Sequence, residues 1–218
     1  MDNPKLTVLL DNGHGSNTPG KRSPDGALLE YRYCREITAR IKRELDKYPD
    51  ISCEILVPEE WDVTLHERCA RANRRSRTVG RDNCVFVSVH NNAAGSGGWM
   101  SARGWQVHTH TNCSQKSTTL AVCLHDAAVA LGCKTRKPMS TQKYWKNNFQ
   151  VLRETECPAV LTENFFQDNR EDVAWLLSEK GKETVTAIHV KGILDYYRKV
   201  FGKDAAQSTL PMGGCTLK

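Results

Sequence analysis

The chain has 218 residues, of which 39% are hydrophobic and 26% charged, and its formal net charge is +6. That balance suits one globular domain with a sizeable core and excludes a disordered or low-complexity chain. No apolar run reaches the length of about 18 residues needed for a helical membrane span.

Met1-Asp-Asn-Pro-Lys leads directly into an apolar run, which leaves no room for the charged and apolar regions of a secretory signal. The run Leu6-Thr-Val-Leu-Leu ends in Asp11-Asn-Gly-His-Gly, predicting a buried strand over residues 6–11 with His14 at its carboxyl end. Gly13 and Gly15 flank His14 and read as residues that let the backbone turn sharply. An amphipathic helix follows, with Glu30 at its front and Cys34, Ile37, Ile41 and Leu45 at helical spacing. After a strand over 51–57, a helix carries a basic run, Arg71, Arg74, Arg75, Arg77 and Arg81, which reads as a solvated face. The next strand, 84–90, is Cys84-Val-Phe-Val-Ser-Val-His and places His90 at its carboxyl end.

Further strands are predicted at 104–110, 149–152 and 159–163, the last of which, Ala159-Val-Leu-Thr-Glu, delivers Glu163. A helix over 117–131 stops at Gly132, and a final helix over 183–201 turns Val185, Ile188, Ile193 and Tyr196 inward. Strands alternating with helices predict an α/β fold: a single domain over 1–202 with a mostly parallel, mixed, twisted sheet of about six strands flanked by helices. Residues 203–218 read as a polar tail.

In an open α/β sheet, ligands collect outside the carboxyl ends of the strands, so His14, His90 and Glu163 can converge from distant positions. Two imidazoles with the Glu30 carboxylate make a ligand set that keeps a fourth position open for water, the mark of a catalytic zinc site. Glu163 ends a buried strand, where a carboxylate costs free energy unless something pairs with it, and it reads as the group that moves protons. These residues by themselves imply metal-assisted amide or ester hydrolysis. Asp11 and Asn91 are sequence neighbours that could orient the imidazoles.

His66, His125 and His189 read as surface or packing residues, while His108 and His110 alternate outward on one strand. Two polar loops, residues 91–102 with Trp99 and residues 134–148 with Tyr144 and Trp145, are candidate substrate walls. The nine cysteines include no Cys-x-x-Cys pair, which suits buried free thiols, with Cys215 in the tail exposed. No cysteine stands at a strand end beside a positioned base, so a cysteine nucleophile has no support.

Asp11-Asn-Gly-His-Gly, Gly26-Ala-Leu-Leu-Glu, Phe86-Val-Ser-Val-His-Asn-Asn-Ala and Pro158-Ala-Val-Leu-Thr-Glu together resemble, in order, the signatures of the zinc-dependent N-acetylmuramoyl-L-alanine amidases of the amidase-3 type. Leu65-His-Glu-Arg-Cys-Ala-Arg-Ala-Asn and Asn169-Arg-Glu-Asp extend the resemblance, which runs from about Leu6 to about Tyr197. It implies His14, Glu30 and His90 as Zn2+ ligands and Glu163 as the catalytic carboxylate. The bond cut would join N-acetylmuramic acid to the L-alanine of the peptidoglycan stem. The chain departs from the family pattern at Phe165, where the family has glycine, and over residues 16–25.

A monomer acting on peptidoglycan, with no nucleic-acid partner, is expected. Lacking a visible export signal, it would be made in the cytoplasm and reach the wall on release, as a phage or prophage lysis enzyme does. The alternatives are a carboxypeptidase-like zinc peptidase acting on wall peptides and a basic wall- or nucleic-acid-binding protein.

Overall fold

The computed structural model describes residues 5–138 and 141–207. Its elements in chain order are β1 (Leu6–Asn12), α1 (Glu30–Leu45), β2 (Ile51–Ile55), α2 (Leu65–Val79), β3 (Cys84–Asn92), β4 (Gln106–Thr109), α3 (Gln115–Ala130), β5 (Trp145–Lys146), α4 (Gln150–Arg153), β6 (Ala159–Phe166), α5 (Arg170–Leu177) and α6 (Glu179–Phe201). The six strands form one sheet in the order β2-β1-β3-β6-β4-β5. Strands β2, β1, β3 and β6 are mutually parallel, while β4 runs antiparallel to β6 and takes β5 alongside it. The sheet is therefore mixed, as the alternation of elements predicts.

Side chains alternate across a strand, and here the two sets enter two separate cores. Leu6, Val8 and Leu10 of β1 and Val85, Val87 and Val89 of β3 pack with α1, α3 and α6. Leu9, Phe86, Ala159 and Leu161 pack on the other face with Cys69 and Ala72 of α2 and Val151 and Leu152 of α4. Burying a side chain of this size contributes about 1.5–3 kcal/mol, so both faces contribute to stability. On this face the second layer is built from α2 and the one-turn α4, and His90 and Glu163 project to the same face.

Two expectations are corrected. Residues 149–152 do not form a strand: Leu152 and Arg153 donate to the carbonyl of Phe149 and Glu154 donates to that of Gln150, closing a helical turn. A short apolar run fits either a strand or a buried turn, and here Val151 and Leu152 both enter the second core, which an alternating strand could not achieve. The strand beside β4 is instead Trp145–Lys146. His108 does not point outward but is buried, and His110 lies past the end of β4. The polar segment at Asn169 opens a helix of its own, α5, with the Asn169 side chain accepting from the N–H groups of Glu171 and Asp172. Most of the expected tail, residues 208–218 with Cys215, lies outside the described residues. The other eight cysteines are free, and all but Cys113 and Cys133 are buried.

Candidate active site

Strand β1 delivers His14 through a backbone that sequence reading places wrongly in detail. The positive φ falls on His14 itself, at 59°, and on neither flanking glycine. The glycines answer close approach instead: a Cβ on Gly13 would lie 2.3 Å from the His90 ring, and one on Gly15 would lie 1.9 Å from the Asp62 nitrogen. Two guanidinium groups hold the strained residue, since the His14 carbonyl accepts from Arg35 at 3.1 Å and from Arg68 at 3.2 Å.

His14, Glu30 and His90 come together. Their ligand atoms lie within 4.8 Å of one another. Glu30 is the first residue of α1 and is buried; its Oε1 faces His14 Nε2 at 3.3 Å and His90 Nδ1 at 3.2 Å and accepts from the Asn91 N–H at 3.0 Å. Its other oxygen, Oε2, is buried with no partner. Burial by itself would raise the carboxyl pKa, but the two imidazoles outweigh it and hold Glu30 well below the usual range. Burial lowers the pKa of His14. It acts the same way on His90, where the Glu30 carboxylate prevails and the pKa is raised. An ionised carboxylate with a spare buried oxygen, facing two imidazole nitrogens, is a donor set that fits a divalent zinc ion.

Glu163 stands beside this cluster, in parallel register with His90 and opposite Gln106 of β4. Burial pushes its carboxyl up to about 7, with Glu30 adding to the effect and His90 opposing it. Its Oε2 is also buried without a partner. Immediately beyond it the ladder slips: His90 pairs with Glu163, but Asn92 pairs with Phe166, so β6 carries one extra residue. Phe165 in this bulge has φ 61°, the conformation for which such bulges favour glycine. Its ring packs on Trp175 at 4.5 Å. The departure from the family pattern is thus a bulky residue in a left-handed position, directly after the site.

A cavity of about 250 Å³ opens over these groups, with His14, His90 and Glu163 among its lining residues and Lys21, Leu65 and Phe149 on its walls. The larger groove between α1 and α6, about 580 Å³, borders none of the four expected site residues. The aromatic rings expected on the two loops are committed elsewhere: Trp99 lies under the Arg170 guanidinium, Tyr144 packs on the main core, and Trp145 stacks on His108. Trp61, which precedes the lining residue Asp62 in sequence, is 60% accessible, a position sequence reading passes over.

Sequence reading also misses Arg68. It is buried, and its five N–H groups bond Asp11 Oδ1, Asp62 Oδ1 and the carbonyls of Asn12, His14 and Val63. Asp11 takes Arg68 and the Ser88 hydroxyl, and Asn91 acts through its backbone N–H, so the side chains of these two residues do not orient the imidazoles. The signal for Arg68 was available: Asp11, like Glu163, ends a buried strand and needs a cation. The other arginines of the basic run are largely matched by acids, with Arg71 on Glu59 and Glu67 and Arg75 on Glu54, while Arg77 and, just past the helix, Arg81 both face Glu156.

The fold and this arrangement define an α/β protein with, at the carboxyl edge of its sheet, a donor set that suits a metal ion. Residues 8–195 match the amidase-3 family, described as N-acetylmuramoyl-L-alanine amidase, and the chain belongs to that family. It is 28% identical over 218 residues to the endolysin of Bacillus phage SPP1, covering 96% of this chain and 73% of that one. With the N-acetylmuramoyl-L-alanine amidase CwlM of Bacillus licheniformis it shares 27% identity over 188 residues, covering 86% and 67%. A solved N-acetylmuramoyl-L-alanine amidase from Clostridium difficile 630 has the same fold, with a TM-score of 0.78, 27% identity and coverage of 89% and 97%.

Proposed function

We propose that this enzyme hydrolyses, with zinc, the amide between N-acetylmuramic acid and the L-alanine of the peptidoglycan stem. The observation that carries the reading is the convergence of one ligand atom each from His14, His90 and the Glu30 carboxylate within 4.8 Å, beside a second carboxyl held near neutrality. His14, Glu30 and His90 would hold the zinc. When bound, zinc supplies Lewis acidity that polarises the scissile carbonyl and acidifies the attacking water. Glu163 takes the proton from that water and passes it to the departing alanine nitrogen, which leaves poorly unless protonated. A base with a pKa near 7 is suited to both transfers at neutral pH. The Arg35 and Arg68 hydrogen bonds to the His14 carbonyl would orient that ligand.

The catalytic domain spans 1–202 in this reading, with 203–218 outside the machinery. The similarity to a phage endolysin supports a role in wall lysis, and among the described residues no helix is long and apolar enough to cross a membrane.

The test is digestion of isolated peptidoglycan by chelator-treated and zinc-reconstituted protein, with mass spectrometry of the products. Zinc-dependent release of intact stems with a free L-alanine amine, abolished in Glu163→Gln, is the expected result. Shortened peptides would replace the amidase with a peptidase.

A further inference from the structure

Among the described residues, the cavity over the candidate site is lined by one uncommitted cation. Lys21 is half-buried and lines the cavity together with His14, His90 and Glu163. No ion pair within 4.0 Å joins its ammonium group to a carboxylate of the described residues. The other cation of the lining, Arg68, has every N–H occupied. Lys21 is also held in place from behind. Its carbonyl accepts the Glu30 N–H at 3.0 Å, and Arg22 pairs with Leu29 in an antiparallel bridge, so its backbone is fixed to the residue that starts α1. Its charge is felt at both His14 and Glu163, which places it within electrostatic reach of both sides of the reacting centre.

A half-buried ammonium without a counter-ion has lost part of its hydration and gained nothing in exchange, unless a ligand supplies the anion. The cavity, at about 250 Å³, lies below the range of a pocket for a drug-sized molecule, so it accommodates the groups flanking the scissile bond. Consecutive residues of a chain are spaced about 3.8 Å apart. A four-carbon side chain on the cavity wall is long enough to span one such spacing. The peptidoglycan stem carries an acid next to the residue whose amide is cut when its second residue, a glutamate joined through its γ-carboxyl, keeps its α-carboxylate free.

Building on the amidase reading, we propose that Lys21 is a specificity-determining residue that binds the free α-carboxylate of the second stem residue and selects acidic over amidated stems. The segment that carries it, residues 16–25, is the one that departs from the family pattern.

Two matched muropeptides, identical except for a carboxylate or a carboxamide at that position, test the proposal with zinc-loaded enzyme. The wild type is expected to show the lower KM on the acid. Lys21→Ala should raise KM on the acid by roughly tenfold to a hundredfold, the range for a charge-assisted hydrogen bond. The rise should be specific to the acid, with KM on the amide changed far less, and Lys21→Arg should retain the preference. Equal KM for both substrates in the wild type, or an equal rise in KM on both in Lys21→Ala, overturns the proposal. Cleavage of neither substrate by the wild type would instead remove the amidase reading, and this proposal with it.

Discussion

At Phe165, two opposing effects meet in one residue. Holding a non-glycine residue in the left-handed region costs about 1–2 kcal/mol, whereas deleting a buried phenylalanine side chain costs about 3–5 kcal/mol. The ring is buried against Trp175, so packing wins. Phe165→Gly is expected to lower stability by roughly 2 kcal/mol, seen as a reduced urea midpoint at unchanged m. A more stable variant would show that the bulge strain dominates. Two residues earlier, Glu163 sits at about 7 because of burial, and a zinc ion beside it would pull that value down. A base works only when ionised, so kcat/KM should fall as pH drops through its pKa, with the zinc-loaded enzyme's acid limb below pH 7. Glu163→Gln should remove that limb and lower kcat by roughly a hundredfold to ten-thousandfold; an unchanged profile would assign the base elsewhere.

Among the elements, α6 is locked to β6 through a buried histidine. His189 Nδ1 donates to the Val185 carbonyl at 2.8 Å, and its Nε2 accepts from the Thr162 hydroxyl at 2.9 Å. The ring is therefore neutral in the fold, and burial pushes its pKa down to about 4, from an unfolded value of about 6.5. Between these values the unfolded chain binds the extra proton. The contribution is complete above about pH 6.5 and lost as pH falls toward 4, at up to about 1.4 kcal/mol per unit. His189→Gln should be less stable at pH 7.5, and the gap to wild type should narrow at pH 5; a constant gap in urea unfolding would contradict this account.

Across the whole molecule, the site is assembled from β1, α1, β3 and β6, and the unfolded chain has no equivalent of it. Zinc should therefore stabilise the fold by mass action, by about 4 kcal/mol at a free concentration a thousandfold above Kd. Chelator-treated protein should show a Tm several degrees below the zinc-loaded form. His14→Ala should lose the difference, and the absence of any shift in the wild type would remove zinc from the reading.

Much of this was legible in the chain itself. Apolar runs ending abruptly in Gly-His-Gly, Val-His-Asn and Thr-Glu-Asn set His14, His90 and Glu163 at strand ends, because burial and its termination are local properties of sequence. Helical spacing placed Glu30 at the front of α1 for the same reason. What only the tertiary structure decided depends on partners far apart in the chain. Short apolar segments have no preferred period, so the turn at α4 and the reversed direction of β4 were settled by which neighbour each could pack against. The need for glycine at positions 13 and 15 arises from the His90 ring and the Asp62 backbone, which lie in other elements. Arg68 reads as one arginine among several on its helix, and its burial follows from the Asp11 carboxylate 57 residues away.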